Sequence, residues 1–188
     1  MSASLKRALG LWVASKASGL NVYADDLANN QYRYPACVVT EVGHSVVPVG
    51  CGKTDFPVRN PSTDFVVSAV RLHREETSFR LTFSAPNGPQ KSGIETVDSL
   101  AETVERAVLA TQSAPGQTEL TDTQTTPNQT FPLEAMRLEG RQAVPPDTTG
   151  EPFLFREALT VRLVRLIPIE RAVDRVIEHI HIEENDHE

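Results

Sequence analysis

The chain has 188 residues, which is enough for one domain with a sizeable core or for a smaller core with long loops. Its formal net charge of −7 and isoelectric point near 5.3 argue against binding along nucleic acid phosphates, which needs clustered Lys and Arg. Two cysteines, Cys37 and Cys51, are too few for a disulfide scaffold, so we expect free thiols in a reducing compartment. The sequence contains no apolar run as long as a membrane helix, and we expect no signal peptide.

The chain begins with a helical pattern that gives way to strands. Apolar residues at steps of three and four predict a helix over residues 4–17, with Ser2 or Ser4 as its cap. A short strand is predicted at residues 21–23. β-branched residues then predict a strand over residues 36–42.

The next stretch contains a long loop and the clearest β signal. Residues 45–61 contain several glycines and prolines, which predicts a loop or an irregular hairpin. Apolar residues dominate 65–73 and alternate with polar residues over 79–85. The polar residues 75–77 between them predict a turn, so we expect an antiparallel hairpin.

A second helix is predicted after Ser92, which forms a capping-box pattern with Glu95. The residues of its apolar stripe are Ile94, Val97, Leu100, Ala101, Val104, Ala107 and Val108. Residues 113–132 are rich in Thr, Gln, Pro and Asn. We expect a long exposed loop there, because few large apolar side chains are present to bury.

The last third of the chain predicts further strands. A short strand is expected over residues 133–141, a proline-rich connector over 144–152 and a long strand over 153–167. Pro168 ends this strand or places it at a sheet edge. The segment after it fits a helix or a strand, and residues 183–188 form a polar tail.

The element order, α-β-β-β-α-β-β-β, predicts the fold class. We expect one α+β domain over residues 1–188, with an antiparallel or mixed β-sheet and two helices packed on one face. Long loops near 45–61 and 113–132 and the tail at 183–188 would extend from it.

Two patterns suggest catalysis but lack its context. Gly52-Lys53-Thr54 resembles the end of a P-loop, yet the first glycine of that motif is replaced by Val47 and no helical stripe follows. His179, His181 and Glu183 carry metal-binding groups, but they lie close to a terminus, where rigid ligation is difficult. We therefore expect no cofactor, no bound metal and no enzymatic activity.

Arginines recur on the polar positions of the predicted strands. They form either a solvated sheet face balanced by acidic residues or an interface between subunits, where arginine is enriched. Both interpretations stay open, and we also assign three residues of the 45–61 loop to a contact surface. The candidate interface residues are Arg71, Arg74, Arg80, Arg156, Arg162, Arg165, Lys53, Asp55 and Phe56.

Several features follow one another in a recognisable order: an amphipathic N-terminal helix before Val22-Tyr23, a strand opened by Tyr34-Pro35, a hairpin ending at Pro86 and a helix packing back from Ile94. This order resembles that of the tail terminator (tail completion) proteins of tailed bacteriophages. The similarity covers residues 5–109 and, more loosely, 153–167.

The resemblance implies a homo-hexameric ring that caps the head-proximal end of the tail tube and joins it to the neck. The expected partners are further copies of the chain, the tail tube protein, a neck or connector protein and the sheath protein, with no membrane involved. DNA would pass through the lumen without specific binding, and an acidic lumen suits that passage. The location would be the virion, assembled in the host cytoplasm.

Two alternatives remain. The first is another ring or tube component of the virion, such as a neck, head-completion or tail tube protein. The second, less favoured, is a small metal-dependent hydrolase that uses His179, His181 and Glu183.

Overall fold

A computed structural model of the chain describes residues 2–24, 32–49, 56–59, 66–113, 116, 118–148 and 153–172. Contacts within the chain divide it into two compact units. The first contains Met1–Val46 and Glu75–Leu166, and the second contains Val47–Arg74 and Ile167–Glu188. Within the described ranges, no helix is both long enough and apolar enough to cross a membrane.

The described residues form two helices and eight strands. In chain order they are α1 (Ser2–Lys16), β1 (Asn21–Tyr23), β2 (Ala36–Pro48), β3 (Phe56–Arg59), β4 (Val66–Pro86), α2 (Gly93–Gln112), β5 (Thr118–Asp122), β6 (Gln129–Leu133), β7 (Ala135–Asp147) and β8 (Leu154–Ala172).

One mixed sheet dominates the structure. Its strand order is β1-β2-β4-β8-β7, with β3 paired to β4. The pairing of β1 with β2 is parallel, whereas β3 with β4 and β7 with β8 are antiparallel. Strands β5 and β6 form a separate antiparallel pair. The predicted α+β class with a mixed sheet is confirmed.

The two helices share one core on one face of the sheet. α1 contributes Leu5, Leu9 and Val13, and it contacts both α2 and β5. α2 contributes four residues of its predicted stripe, which are three or four positions apart along the helix: Val97, Ala101, Val104 and Val108. The sheet supplies the alternating residues Phe79, Leu81, Phe83, Leu159, Val161 and Leu163.

The start of α2 confirms the predicted capping box. The backbone N–H of Glu95 donates to Ser92 Oγ at 3.2 Å, and the backbone N–H of Ser92 donates to Glu95 Oε2 at 3.2 Å. The first residue of the helix is Gly93. A Cβ atom there would lie 2.4 Å from Phe155 Cδ2, so a glycine is needed for the helix to begin this close to the sheet.

The predicted hairpin over residues 65–85 is wrong, because β4 runs through it as one continuous strand. The polar residues 75–77, which were expected to form its turn, are instead part of β4 in the sheet. Glu75 and Thr77 are buried, and Glu75 forms an ion pair with Arg165 of β8. A buried carboxylate with a charged partner does not need the solvent that a turn would provide.

The predicted exposed loop at 113–132 is also wrong in most of its described part. Strands β5 and β6 form a hairpin there and bury Leu120, Phe131 and Leu133 against the core. The few apolar residues of this stretch all fall on one face, and that face packs beneath α1. The polar composition of this stretch describes mainly the other face of the hairpin.

Three of the predicted strands continue beyond their expected C-terminal ends. β2 continues to Pro48 and β3 occupies Phe56–Arg59, so the 45–61 loop is corrected in both places. β7 continues to Asp147, through the first four residues of the predicted connector. β8 continues past Pro168 to Ala172, and its pairing with β7 starts at Val164. Pro168 thus lies on a stretch of β8 beyond the β7 ladder, which fits the predicted edge position.

Candidate assembly surfaces

The predicted interface arginines divide according to their burial. Arg165 was assigned to the polar face of its strand, and that placement is wrong. It shares the core-facing side with Leu163, is only 8% exposed, and pairs with Glu75. Its guanidinium also lies 5.3 Å from the centre of the Phe131 ring, a cation–π distance. These contacts hold Arg165 within its own chain.

Arg156 and Arg162 are ion-paired across the sheet. Arg162 lies 3.1 Å from Glu76 Oε2 on β4 and also contacts Glu139 on β7, so it links three adjacent strands. Arg156 pairs with Asp147 at the end of β7. This arrangement matches the balanced-face interpretation of the sequence.

The other candidates lie on β3, on β4 or outside the described residues. Arg71 and Arg74 are half-buried on β4 and engage other groups of the chain. Arg80 is exposed on the same strand. Phe56 begins β3. Lys53 and Asp55 lie outside the described residues, as do His179, His181 and Glu183.

The described residues do not assemble a metal-binding group. Within these ranges, no set of three or more His, Cys, Asp and Glu side chains is close enough to hold an ion. Cys37 is fully buried in β2, and burial raises the pKa of its thiol far above the ordinary value. This thiol is therefore a poor nucleophile.

The buried carboxylate of Asp122 connects α1 to β5. Asp122 has no accessible surface and accepts hydrogen bonds from Ser4 Oγ at 2.5 Å, Arg7 Nε at 3.0 Å and the Gln124 backbone N–H at 3.0 Å. Burial by itself would raise the pKa of Asp122, but these hydrogen bonds outweigh it and lower the pKa. Ser4 was predicted as a cap of α1. It lies within α1 instead, and its hydroxyl donates the hydrogen bond to Asp122. We call this set of contacts the Asp122 joint.

A second polar joint lies at the surface and connects β7, β8 and α2. Arg141 binds Glu157 on β8, Glu105 on α2 at 3.0 Å, and Asp98 on α2. The hydrogen bond to Glu157 is the first of several interactions that raise the pKa of the Arg141 guanidinium. The sequence does not reveal this cluster, because its four members are separated by up to 59 positions along the chain.

Beside Arg141 lies an open groove of about 400 Å³, which we call the β7 groove. Its apolar walls are formed by Ile94, Val97, Ala143, Val144, Pro146 and Phe155. Ile94 is 60% exposed at the start of α2. Phe153, which is 43% exposed, packs edge-to-face on Phe155 with 5.0 Å between ring centres. Contiguous exposed apolar groups of this kind mark interaction sites.

Further apolar side chains are exposed on the long strands. On β2 the exposed fractions are 48% for Val42 and 39% for Val46, and on β8 Leu166 is 44% exposed. In the second unit, Val47 and Val49 are 49% and 43% exposed. The sequence predicted strands at Val42 and Leu166, whereas Val46, Val47 and Val49 lie in the stretch predicted as a loop or an irregular hairpin.

Comparison of the sequence with known protein families and with curated proteins gives no match.

Proposed function

We propose that the chain is a structural subunit of a tailed-bacteriophage virion, and more narrowly a tail terminator that forms a ring at the head-proximal end of the tail tube. The chain would act by assembly and not by catalysis. Its partners would be further copies of itself, the tail tube protein and a neck protein.

The observation that carries this proposal is the exposure of large apolar side chains on strand ends that run past the core. Val42, Val46 and Leu166 keep 39–48% of their surface exposed in the single chain, and contact with a neighbouring subunit would bury this remaining apolar area. Strands of 13 to 21 residues are long for globular proteins, whose strands have about 5–6 residues. Long strands of this kind are suited to contacts between subunits.

The resemblance to tail terminators noted in the sequence is a second support. The structure has the N-terminal helix, the short strand, the strand after Tyr34-Pro35 and the capped helix after Pro86 on which that resemblance rests, whereas the hairpin before Pro86 is one continuous strand. The net charge of −7 also suits a ring through which DNA passes without being held.

The test is to determine the mass and shape of the purified chain, alone and after mixing with tail tubes. Closed rings of about six subunits that cap tube ends and stop their growth are the expected result. Polymerisation of the chain into tubes would instead favour a tail tube protein. A monomer that never joins tubes at any concentration would contradict a role in the tail.

A further inference from the structure

We propose that the outer face of the large sheet, which is the face turned away from α1 and α2, binds the acidic side of α2 on a second copy of this chain. This inference rests on the proposed function, since it names the contact through which copies would join. It is also narrower than that function, because a ring can be built from other contacts.

The first observation is a pair of arginines on the outer face. Arg80 lies between Phe79 and Leu81 of β4, whose buried side chains belong to the core, so its own side chain lies on the outer face. On β7, Met136 is buried in the same core, and the next residue, Arg137, is exposed on the outer face. Within the described ranges, neither arginine side chain has an ion-pair partner. Arginine is enriched where subunits meet.

The charges next to these arginines make this part of the outer face basic. Arg137 lies opposite Arg162 in the pairing of β7 with β8, and Arg162 binds Glu76 and Glu139. Arg80 is on the same strand and face as Glu76, about 13 Å further along the extended chain. Three guanidiniums and two carboxylates leave a formal charge of +1 here, in a chain whose net charge is −7.

The solvent-facing side of α2 has the opposite charge. Its residues recur at steps of three and four, which places them in one row along the helix. Ile94 and Leu109, at the two ends of the row, are 60% and 45% exposed, and Asp98 is 63% exposed. The acidic side of α2 consists of Ile94, Asp98, Glu102, Glu105 and Leu109.

Ion pairs within the chain leave this side negatively charged. α2 contains four acidic residues and one arginine, which gives a formal charge of −3. Arg141 of β7 binds Asp98 and Glu105 and reduces the local charge to −2. An ionised carboxylate has about four sites that accept hydrogen bonds, so Asp98 and Glu102 can each bind a further guanidinium.

The two surfaces are complementary in charge and in polarity. The outer face presents the two arginines, and Leu166 adds an exposed apolar group on the same face, four positions after Arg162 on β8. The acidic side of α2 presents carboxylates between two exposed apolar residues. Complementary charges of this kind fix the orientation of two subunits more than they raise affinity.

The positions of the two surfaces determine what such a contact would build. α2 packs on one face of the sheet, so its acidic side and the outer face lie on opposite sides of the same subunit. One copy can therefore contact a different neighbour through each surface. The contact is heterologous, and repeated copies give a ring when the rotation closes.

Charge reversal in the full-length chain tests the contact. The first form carries Arg80→Glu and Arg137→Glu, and the second carries Asp98→Lys and Glu102→Lys. In each form the two surfaces have the same sign of charge, so self-association should weaken several-fold. In an equimolar mixture the surfaces of the two forms are complementary again, and association should return to near the wild-type level in light scattering.

The matched control for the first form combines Arg33→Glu with Lys91→Glu. Both residues are exposed and lie outside the two surfaces, and the change in net charge is the same. This control should self-associate like the wild-type chain. Equal weakening by the control, or no gain on mixing the two reversed forms, would overturn the inference.

A second measurement uses conservative substitutions that keep the charge. Arg80→Lys and Arg137→Lys place primary amines on the outer face, and a carbodiimide joins amines to carboxylates in direct contact with them. In a mixture of isotope-labelled and unlabelled copies, mass spectrometry should find links between copies from these two positions to Asp98 or Glu102. Links confined to Glu76 and Glu139 of the same copy would also overturn the inference.

The two proposals fail separately. Rings that cap tubes and are unaffected by charge reversal would leave the terminator function standing and remove the contact. Recovery on mixing in a chain that never caps tubes would keep the contact and remove the terminator function.

Discussion

The joint at Asp122 and the joint around Arg141 both connect a helix to a strand through charged groups, but they differ in how far water reaches their carboxylates. Asp122 has no accessible surface, whereas the Arg141 side chain is 26% exposed and its partner Asp98 is 63% exposed. The pair of Glu75 with Arg165 is more enclosed still, because each side chain is only 9% exposed.

From this difference we expect burial, and not the number of charged contacts, to determine how much such a joint contributes to stability. Arg141 has three carboxylate partners and Arg165 is paired with Glu75, yet we expect the second pair to matter more. Exposed ion pairs contribute little because water already solvates both groups. A buried charge that loses its partner has no such alternative.

The largest effect is expected for Glu75→Ala. Arg165 would remain buried without its carboxylate, so the free energy of unfolding should fall by about 3–5 kcal/mol in chemical denaturation. Glu76→Ala is the matched control on the same strand. Its partner Arg162 is 41% exposed, and the loss should be below about 1 kcal/mol. Equal losses for the two variants would contradict the comparison.

Asp122→Ala should rank second. It leaves the Ser4 hydroxyl and the Gln124 N–H without their acceptor, at a cost of about 1.5–3 kcal/mol for hydrogen bonds to a charged group. The loss is smaller than at Glu75 because Arg7, at 35% exposure, remains hydrated. Asp98→Ala is the control for removal of an exposed carboxylate and should change stability by less than about 0.5 kcal/mol.

The lowered pKa of Asp122 adds a dependence on pH. The ionised form is favoured by folding, so its contribution is complete above the ordinary value of 3.8 and disappears as pH falls through the lower folded-state pKa. The stability difference between the wild-type chain and Asp122→Asn should therefore shrink as the pH falls below the ordinary value of 3.8. A difference that stays constant over this range would show that the carboxylate charge has no part in the joint.

Among the three joints, the smallest effect is expected for the one around Arg141, tested by Arg141→Ala. The loss should be about 1 kcal/mol or less in dilute buffer, because all four groups are partly solvated. Raising the salt concentration to about 1 M shortens the screening length to about 3 Å and should reduce the loss further. A larger loss that is insensitive to salt would place Arg141 among the buried joints.

The predictable parts of the fold are those in which local pattern and tertiary packing agree. The stripe and capping box of α2, the apolar face of α1 and the alternation over residues 79–85 each determine their element locally. The failures occur where a polar residue is satisfied by a distant partner. Residues 75–77 looked like a turn because their partners on β8 are about 90 positions away, as the pair Glu75–Arg165 illustrates.

The candidate surfaces were less predictable than the fold. The sequence suggested interface arginines, but the structure engages Arg156, Arg162 and Arg165 in ion pairs within the chain. The β7 groove combines residues of α2, β7 and β8, and no short-range pattern connects Ile94 to Val144 or Phe155. The signal that was available in the sequence is the place of Ile94 in the first turn of the predicted helix, at the N-terminal end of the α2 stripe.

The sequence by itself determined the α+β class, both helices and the core-facing residues of the central strands, because periodicity and capping act over a few neighbouring residues. Only the tertiary structure decided that residues 66–86 form one strand, that the polar stretch after α2 contains a buried hairpin, and that an apolar groove opens beside Arg141. These features depend on which side chains, distant along the chain, come into contact in the fold. Burial and charge pairing arise from those contacts, so no single segment of the sequence determines them.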